Sequence, residues 1–345
     1  MTNLELAHTL MTEPDTLRFV DGQRLRRGGR VMDPKAQIVG EFVKSIRVPG
    51  YFPPLPELRQ QLRTMVKLMD EPAPPLARIE DVTIPGAAGP RPARVYASAR
   101  AGRPAQPVVA YFHGGGWVQG DLETHHGVCA RLAEASGAMV IALDYRLAPE
   151  DPFPAAVDDC VAAYRWLRAH GRDLGADPDR VAVAGDSAGG NLAAVVSQQI
   201  AAAGGPVPTA QVLIYPAVDF AFNTPSHREG EDAHIIPADR VRWYADRYLP
   251  AGVDRLDPRA SPLRARDLSG QPPTLMITAG FDPLRDEGHA YAAALRDAGV
   301  DVVDHEYPGQ IHGFVFLTRA IPQGLECADE IAGFVRRRLL GGRAP

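Results

Sequence analysis

The segment VAVAGDSAGGN, residues 181–191, places a G-x-S-x-G pentapeptide between a short apolar strand and a long apolar helix. Ser187 is the central residue of the pentapeptide, with Gly185 and Gly189 on either side. A sharp strand-to-helix turn folds the chain back on itself and therefore needs neighbours without a bulky Cβ. The free N–H groups that begin the helix point to where negative charge would develop near the serine. The segment predicts Ser187 as a nucleophile on such a turn.

A tight glycine turn in a nucleotide-binding fold is the alternative interpretation of this segment. Proteins of that class favour the phosphate-binding pattern G-x-x-x-x-G-K-[ST]. The chain contains no such pattern. The nucleophile interpretation is therefore favoured.

Outward from this segment, β-branched runs alternate with Ala-rich helical runs. Such alternation predicts the α/β class, with a mostly parallel sheet and helices on both of its faces. Two early runs joined by a GAAG turn are expected to form antiparallel edge strands, which brings the sheet to eight strands. The expected strands span residues 79–85, 91–98, 108–112, 139–144, 180–185, 211–216, 274–280 and 301–307.

Two stretches interrupt the alternation and divide the chain into four segments. Residues 1–75 are helical in places and Pro-rich, and residues 220–250 form an aromatic insertion between two strands. The sheet-forming segments are residues 76–219 and 251–345. An insertion at the carboxyl end of a strand is where a cap over a site would lie. We expect a helical cap built from the first stretch and the insertion; a peripheral helical ornament is the alternative.

The segment YFHGGGWVQGD, residues 111–121, directly follows a predicted buried strand. Three consecutive glycines are costly to order, and backbone N–H groups that approach a substrate oxygen give a reason for them. Beside a nucleophile turn, such a loop usually supplies oxyanion donors; alone, it would indicate only a flexible turn. We expect a structural role for His113.

The acid that would assist Ser187 is sought after it in the chain. A serine hydroxyl is a poor nucleophile unless a base takes its proton and a carboxylate orients that base. In this sheet architecture the order is Ser, then Asp or Glu, then His. Asp282, just past a predicted strand, is the expected acid, and Asp219 is the second candidate. Asp286 and Glu287 are expected to cap the first turn of the following helix.

The expected base is His312, which lies in a glycine-flanked loop past the next predicted strand. Two rivals are less suitable, because His289 falls within a helical run and His305 within a strand. The adjacent His125 and His126 lack the i, i+4 spacing that places two metal ligands on one helix face. We expect no metal site.

The bulk composition indicates a folded protein that binds neither nucleic acid nor anionic membranes. The 345 residues are 45% hydrophobic and 23% charged, with a net charge of −5. The short basic cluster at residues 24–30 is interpreted as a solvated surface segment. Residues 1–10 lack a secretory pattern, and no apolar run is long enough to span a bilayer. The odd cysteine count, without CxxC spacing, indicates a reducing compartment, so we expect a cytoplasmic protein.

Six motifs, taken in their order along the chain, resemble those of the bacterial hormone-sensitive-lipase-like esterases. Together they cover roughly residues 75–340, and the Asp before Ser187 is similar to the GDSAG branch of that family. Residues 1–30 extend beyond the usual start of the family. The motifs are HGGGW (113–117), DYRLAPE (144–150), PFPAA (152–156), GDSAGGNLA (185–193), DPLRDEG (282–288) and IHGF (311–314).

This resemblance implies an α/β-hydrolase core with a helical cap. It also implies activity on short- to medium-chain acyl esters without a cofactor. The site residues that it implies are Ser187, Asp282 and His312 as a catalytic triad and Gly114, Gly115 and Ala188 as oxyanion donors. We add Trp117 and Asp186, which lie within the motifs, as expected substrate contacts.

The sequence thus predicts a serine carboxylesterase that forms an acyl-enzyme on Ser187. An amide hydrolase or deacetylase would use the same residues and is the main alternative. An epoxide or C–C bond hydrolase is disfavoured because the HGGG loop suits an acyl oxyanion. A ligand receptor on this fold typically lacks a triad member, whereas all three candidates are present. We expect a homodimer by family analogy, and because the strand near Val302 leaves a free sheet edge.

Overall fold

An eight-stranded sheet forms the centre of the molecule. The computed structural model describes residues 23–48, 50–99 and 105–341. Numbered along the chain, the strands of the sheet are β1 (Arg78–Gly86), β2 (Gly89–Ala97), β3 (Gln106–Phe112), β4 (Met139–Leu143), β5 (Ala176–Asp186), β6 (Gln211–Ile214), β7 (Thr274–Ala279) and β8 (Val302–Tyr307).

The strand order across the sheet is β8-β7-β6-β5-β3-β4-β2-β1. Strands β3 to β8 pair in parallel, whereas β1 pairs antiparallel with β2, and β2 pairs antiparallel with β4. The prediction of a mostly parallel eight-stranded sheet with an antiparallel pair at one edge is confirmed. Strand bounds differ by a few residues. Thus β5 begins at Ala176 rather than residue 180, because Ala176 pairs with Gln106 before a register shift.

Helices cover both faces of this sheet, as the alternation predicted. Short 3₁₀ turns and a two-residue hairpin near Arg30 complete the fold. Numbered along the chain, the helices are α1 (Pro34–Ile46), α2 (Leu55–Met69), α3 (His126–Ser136), α4 (Ala155–His170), α5 (Ala188–Ala202), α6 (Pro225–Glu229), α7 (Ala238–Tyr248), α8 (Arg285–Asp297) and α9 (Gln323–Leu340).

Strand β3 shows how one apolar run serves two cores. Val108, Ala110 and Phe112 belong to the core shared with α4, α5 and α8. Val109 and Tyr111 belong to the opposite core, shared with α3 and α9. Successive side chains of a strand point to opposite faces, and both faces of this strand are covered. Burial on both faces explains why the sequence of this strand, VVAYF, is continuously apolar and does not alternate with polar residues.

Asp70 joins the end of α2 to α3 and to the segment between β8 and α9. It follows α2, and its carboxylate accepts hydrogen bonds at 2.7 Å from Arg131 in α3 and at 2.6 Å from the Thr318 hydroxyl. The Asp70 and Arg131 side chains are buried. Residues 1–22 of the predicted cap lie outside the described residues. Within residues 23–48, 50–99 and 105–341, no helix combines the length and apolar character that crossing a bilayer requires.

We predict that Asp70→Ala lowers the free energy of unfolding by about 3–5 kcal/mol, because it leaves a buried guanidinium without its carboxylate. Urea unfolding followed by circular dichroism measures the change. The control is Glu80→Gln, which removes a carboxylate from an exposed pair with Arg78 and should cost less than about 1 kcal/mol. Equal losses in the two variants would contradict this role of Asp70.

Candidate active site

Ser187 occupies a sharp turn between β5 and α5, as predicted. Its backbone has φ 55° and ψ −118°, a sparsely populated conformation for a residue with a side chain. A Cβ added to Gly185 or Gly189 would overlap the Phe112 carbonyl oxygen at the end of β3. The Ser187 N–H donates to the Ile214 carbonyl at 2.8 Å. The two glycines are needed because neighbouring backbone approaches the turn closely.

A hydrogen-bonded chain joins Ser187, His312 and Asp282. The Nε2 atom of His312 lies 2.9 Å from Ser187 Oγ, and its Nδ1 atom lies 2.6 Å from Asp282 Oδ2. An Nδ1–H group that donates to the carboxylate leaves Nε2 free to accept the serine proton. Asp282 is 3% exposed and His312 is 6% exposed. The three residues follow β5, β7 and β8, so the carboxyl ends of parallel strands bring them together.

A cavity of about 710 Å³ opens beside these hydrogen-bonded residues. Ser187 and His312 lie in its wall together with Gly115, Gly116 and Trp117. Most of the remaining wall is apolar and comes from α1, α2, α7 and the segment that follows β6. These apolar wall residues include Phe42, Val43, Ile46, Leu58, Leu62, Met65, Leu68, Phe220, Phe222, Ile235, Val241, Tyr244, Leu284 and Phe316.

Comparison with known proteins identifies the family. The family described as alpha/beta hydrolase fold matches residues 109–316. Esterase LipI of Mycobacterium tuberculosis (strain ATCC 25618 / H37Rv) is 42% identical over 82% of this chain and 88% of its own length. The ethyl acetate hydrolase of Pseudomonas putida is 42% identical over 64% of this chain and 69% of its own length. The chain belongs to the hormone-sensitive-lipase-like esterases.

Solved structures of esterases have the same fold. An ester hydrolase from the metagenome of Lake Arreo superimposes with a TM-score of 0.85 at 39% identity, covering 88% of this chain and 98% of that chain. The hyperthermophilic esterase of Pyrobaculum calidifontis gives 0.79 at 42% identity, covering 87% and 97%. The predicted α/β-hydrolase fold and membership of this esterase family are confirmed, as is the expectation of a carboxylic ester hydrolase.

The rival acids of this esterase bind other groups. Asp219 pairs with Arg264 at 2.6 Å. Asp286 accepts from the Ser226 N–H at 2.7 Å, and Glu287 accepts from the Val218 N–H at 2.7 Å. Both lie in the first turn of α8, but the prediction that they cap that turn is wrong. Their carboxylates instead accept hydrogen bonds from the segment that follows β6. That segment is distant in the sequence and comes near them only when the chain is folded.

The rival bases are also engaged elsewhere. Hydrogen bonds to Asp304 and Glu306 raise the pKa of His289 to about 9, which keeps this histidine protonated near neutral pH. His305 bonds Glu330 at 2.7 Å on the outer side of β8. Burial and the nearby His125 lower the pKa of His113 to about 4.

His113 has the structural surroundings that were expected of it. Its Nδ1–H donates to the Gly114 carbonyl at 2.8 Å. Its ring stacks on Tyr145 with 4.3 Å between the ring centroids. These contacts hold the start of the glycine loop against the sheet.

The Gly114 N–H group, which was predicted as an oxyanion donor, already has an acceptor within the protein. It donates to Asp186 Oδ1 at 3.0 Å, which is shorter than its 3.3 Å approach to His125 Nε2. Within the described chain, no acceptor takes the N–H groups of Gly115 and Gly116. Sequence reasoning did not single out Gly116, because nothing local distinguishes the three glycines.

Asp186, which was predicted to contact the substrate, is buried at the cavity wall and accepts hydrogen bonds from several groups of the protein. The residue is 0% exposed, and its carboxylate also accepts from the Tyr111 hydroxyl at 2.9 Å and from His125 Nε2 at 3.3 Å. Burial raises the pKa of Asp186, but His125 and Tyr111 outweigh it and hold that pKa below its ordinary value. The carboxylate therefore ties the glycine loop to the serine turn. His125 was missed because it lies far from Asp186 in the sequence.

We predict that Asp186→Ala lowers kcat for ester hydrolysis by about 10²–10³-fold, the range seen when an oxyanion donor is lost. The glycine loop would lose the acceptor that positions it. Asp186→Asn keeps an oxygen for the Gly114 N–H and should recover much of this loss. Tyr111→Phe removes a different donor from the same carboxylate and serves as the control. Steady-state kinetics and melting temperatures together test this, and an Asp186→Ala enzyme with unchanged kcat would refute it.

Proposed function

We propose that the protein is a serine carboxylesterase in which Ser187 forms an acyl-enzyme with short- to medium-chain acyl groups. The observation that carries this proposal is the hydrogen-bonded chain of Ser187, His312 and Asp282, of which Ser187 and His312 lie in the wall of a largely apolar cavity. Family membership supports the same chemistry. The proposed reaction uses no cofactor.

In the first half-reaction, Ser187 Oγ attacks the ester carbonyl carbon while His312 Nε2 takes the hydroxyl proton. Asp282 accepts the Nδ1–H bond and stabilises the imidazolium that forms. When the tetrahedral intermediate collapses, the bond to the alcohol oxygen breaks and His312 returns the proton to that oxygen. The alcohol leaves, and the acyl group remains on the serine.

In the second half-reaction, water takes the place of the alcohol. His312 removes a proton from the water, whose oxygen attacks the acyl carbon. Collapse of the second intermediate breaks the bond to Ser187 Oγ, and the proton returns to the serine. The products are one carboxylic acid and one alcohol, and the enzyme is restored.

We assign the oxyanion donors to the backbone N–H groups of Gly115, Gly116 and Ala188. The two glycines lie in the cavity wall, and their N–H groups have no acceptor within the described chain. Ala188 is the first residue of α5, where an N–H group has no partner within its own helix. We do not assign Gly114 as an oxyanion donor, because its N–H group donates to Asp186.

We propose that the N-terminal segment and the insertion at residues 220–250 together form a cap that selects the acyl group. Helices α1, α2 and α7 contribute most of the apolar wall. Trp117 lies in the cavity wall, which supports its proposed role as a substrate contact. Its ring stacks on Tyr248 with 4.3 Å between the ring centroids. A substrate that binds against such a wall gains about 0.8 kcal/mol of binding free energy for each methylene that it buries.

We also propose a cytoplasmic homodimer. Three buried, unpaired cysteines are compatible with a reducing compartment. Strand β8 lies at one edge of the sheet, where a second copy of the chain could continue the pairing.

We predict that Ser187→Ala lowers kcat on p-nitrophenyl butyrate by about 10⁴–10⁶-fold, because it removes the nucleophile. His312→Ala should lose a comparable factor, since the serine then has no base. A series of esters from acetate to palmitate, run beside the wild type, gives the acyl preference. A matched p-nitroanilide tests amide hydrolysis by the same site.

The matched serine control is Ser197→Ala, because Ser197 lies in α5, the helix that follows Ser187, and its hydroxyl donates to the Ala193 carbonyl at 3.0 Å. Replacing the rival base, by His289→Gln, should leave kcat near the wild-type value. If Ser187→Ala keeps wild-type activity, the assignment of all three catalytic residues falls.

A further inference from the structure

Arg240 contributes a guanidinium to the wall of the active-site cavity. It lies in α7, four residues before Tyr244, so the two side chains are neighbours on one helix face, about 5–6 Å apart at Cβ. Tyr244 packs so closely against Gly116 that a Cβ on that glycine would overlap its ring. The cation thus lies roughly one helical turn beyond the residue that covers the proposed oxyanion donors.

The Arg240 side chain has no anionic partner. No carboxylate in the part of the chain that the structure describes lies within ion-pair distance of it. Its guanidinium interacts with the Tyr244 hydroxyl and lies 5.6 Å from the centroid of the Phe52 ring, whereas its Nε atom is buried without a hydrogen-bond acceptor. A buried N–H donor without an acceptor costs about 1–3 kcal/mol. A bound ligand with an acceptor oxygen would remove that cost.

A second arginine, Arg47, lies in the same wall but has an anionic partner. Arg47 also lines the cavity and donates to the carbonyls of Ala233 and His234 at 3.2 Å. Burial and the nearby Arg240 lower the pKa of Arg47. Arg47 already pairs with Asp232 at 3.7 Å, whereas Arg240 has no such partner among the described residues.

The acidic residues of the cavity wall do not neutralise Arg240. Asp186 is engaged with His125, and Asp219 with Arg264. Glu57 is exposed on α2 and accepts a hydrogen bond from Gln61. An apolar cavity with a cation beyond its reactive end suits a ligand that is apolar in the middle and anionic at its far end.

We propose that Arg240 binds a carboxylate carried by the substrate, so that the preferred substrates are esters with a carboxylate several bonds from the scissile carbonyl. Half-esters of dicarboxylic acids are the simplest members of this class. The inference rests on the proposed function, since the ester group must reach Ser187. Hydrolysis itself is unchanged: the acyl–oxygen bond breaks, and a dicarboxylate and an alcohol are released.

The test compares each p-nitrophenyl half-ester, from succinate to suberate, with the same compound methylated at its free carboxylate. One chain length should show a higher kcat/KM for the charged ester. Arg240→Gln should lower kcat/KM for that ester by about tenfold or more, through KM, while the methylated ester changes little. The preference should also weaken with salt. Esters that carry the carboxylate on the alcohol side distinguish which half of the substrate meets Arg240.

Arg242→Gln is the matched control, because it removes the same charge from the exposed side of the same helix. It should leave the preference unchanged, and Arg240→Lys should retain part of it. Wild-type enzyme that hydrolyses the methylated esters through Ser187 without favouring any charged ester refutes this inference alone. Loss of all Ser187-dependent hydrolysis refutes the proposed function instead. Calorimetry with adipate and hexanoate then decides the inference without catalysis, since the proposal requires tighter binding of adipate.

Discussion

The close backbone approach between the end of β3 and the turn after β5 is the constraint on which the site depends. The Phe112 carbonyl oxygen leaves no room for a Cβ at Gly185 or Gly189. Ser187 between them adopts a positive φ, a conformation that costs about 1–3 kcal/mol and persists only where surrounding structure imposes it. Parallel pairing of β3 with β5, up to Phe112 and Gly185, provides that surrounding structure.

Asp186 extends this constraint to the glycine loop. Because it directly precedes Ser187, its carboxylate is fixed by the same turn that fixes the serine. It then holds the Gly114 N–H, and the two following glycines face the cavity. The proposed nucleophile and the proposed oxyanion donors are therefore positioned against each other by one buried charge. A rigid arrangement of this kind keeps donors in place without reorganisation during the reaction.

The remaining parts of the site divide according to the elements that carry them. Ser187, Asp282 and His312 follow sheet strands, whose mutual pairing keeps their separations fixed. The apolar wall and Arg240 lie on α1, α2 and α7, which pack over the sheet through side-chain contacts and ion pairs such as Asp70 with Arg131. The chemistry therefore depends on the sheet, and the proposed choice of substrate depends on the helices.

The sequence by itself determined the eight strands, the serine turn and the positions that meet as Ser187, His312 and Asp282. Runs of apolar residues and glycines report the local backbone conformation, and residues that follow parallel strands are expected at one edge of the sheet. Only the tertiary structure decided that Gly114 is taken by Asp186, 72 residues away, and that Asp286 and Glu287 bind the segment after β6. Only the fold also turned Arg240 toward the cavity. The direction of an N–H group or a charged side chain depends on distant neighbours, which no local pattern encodes.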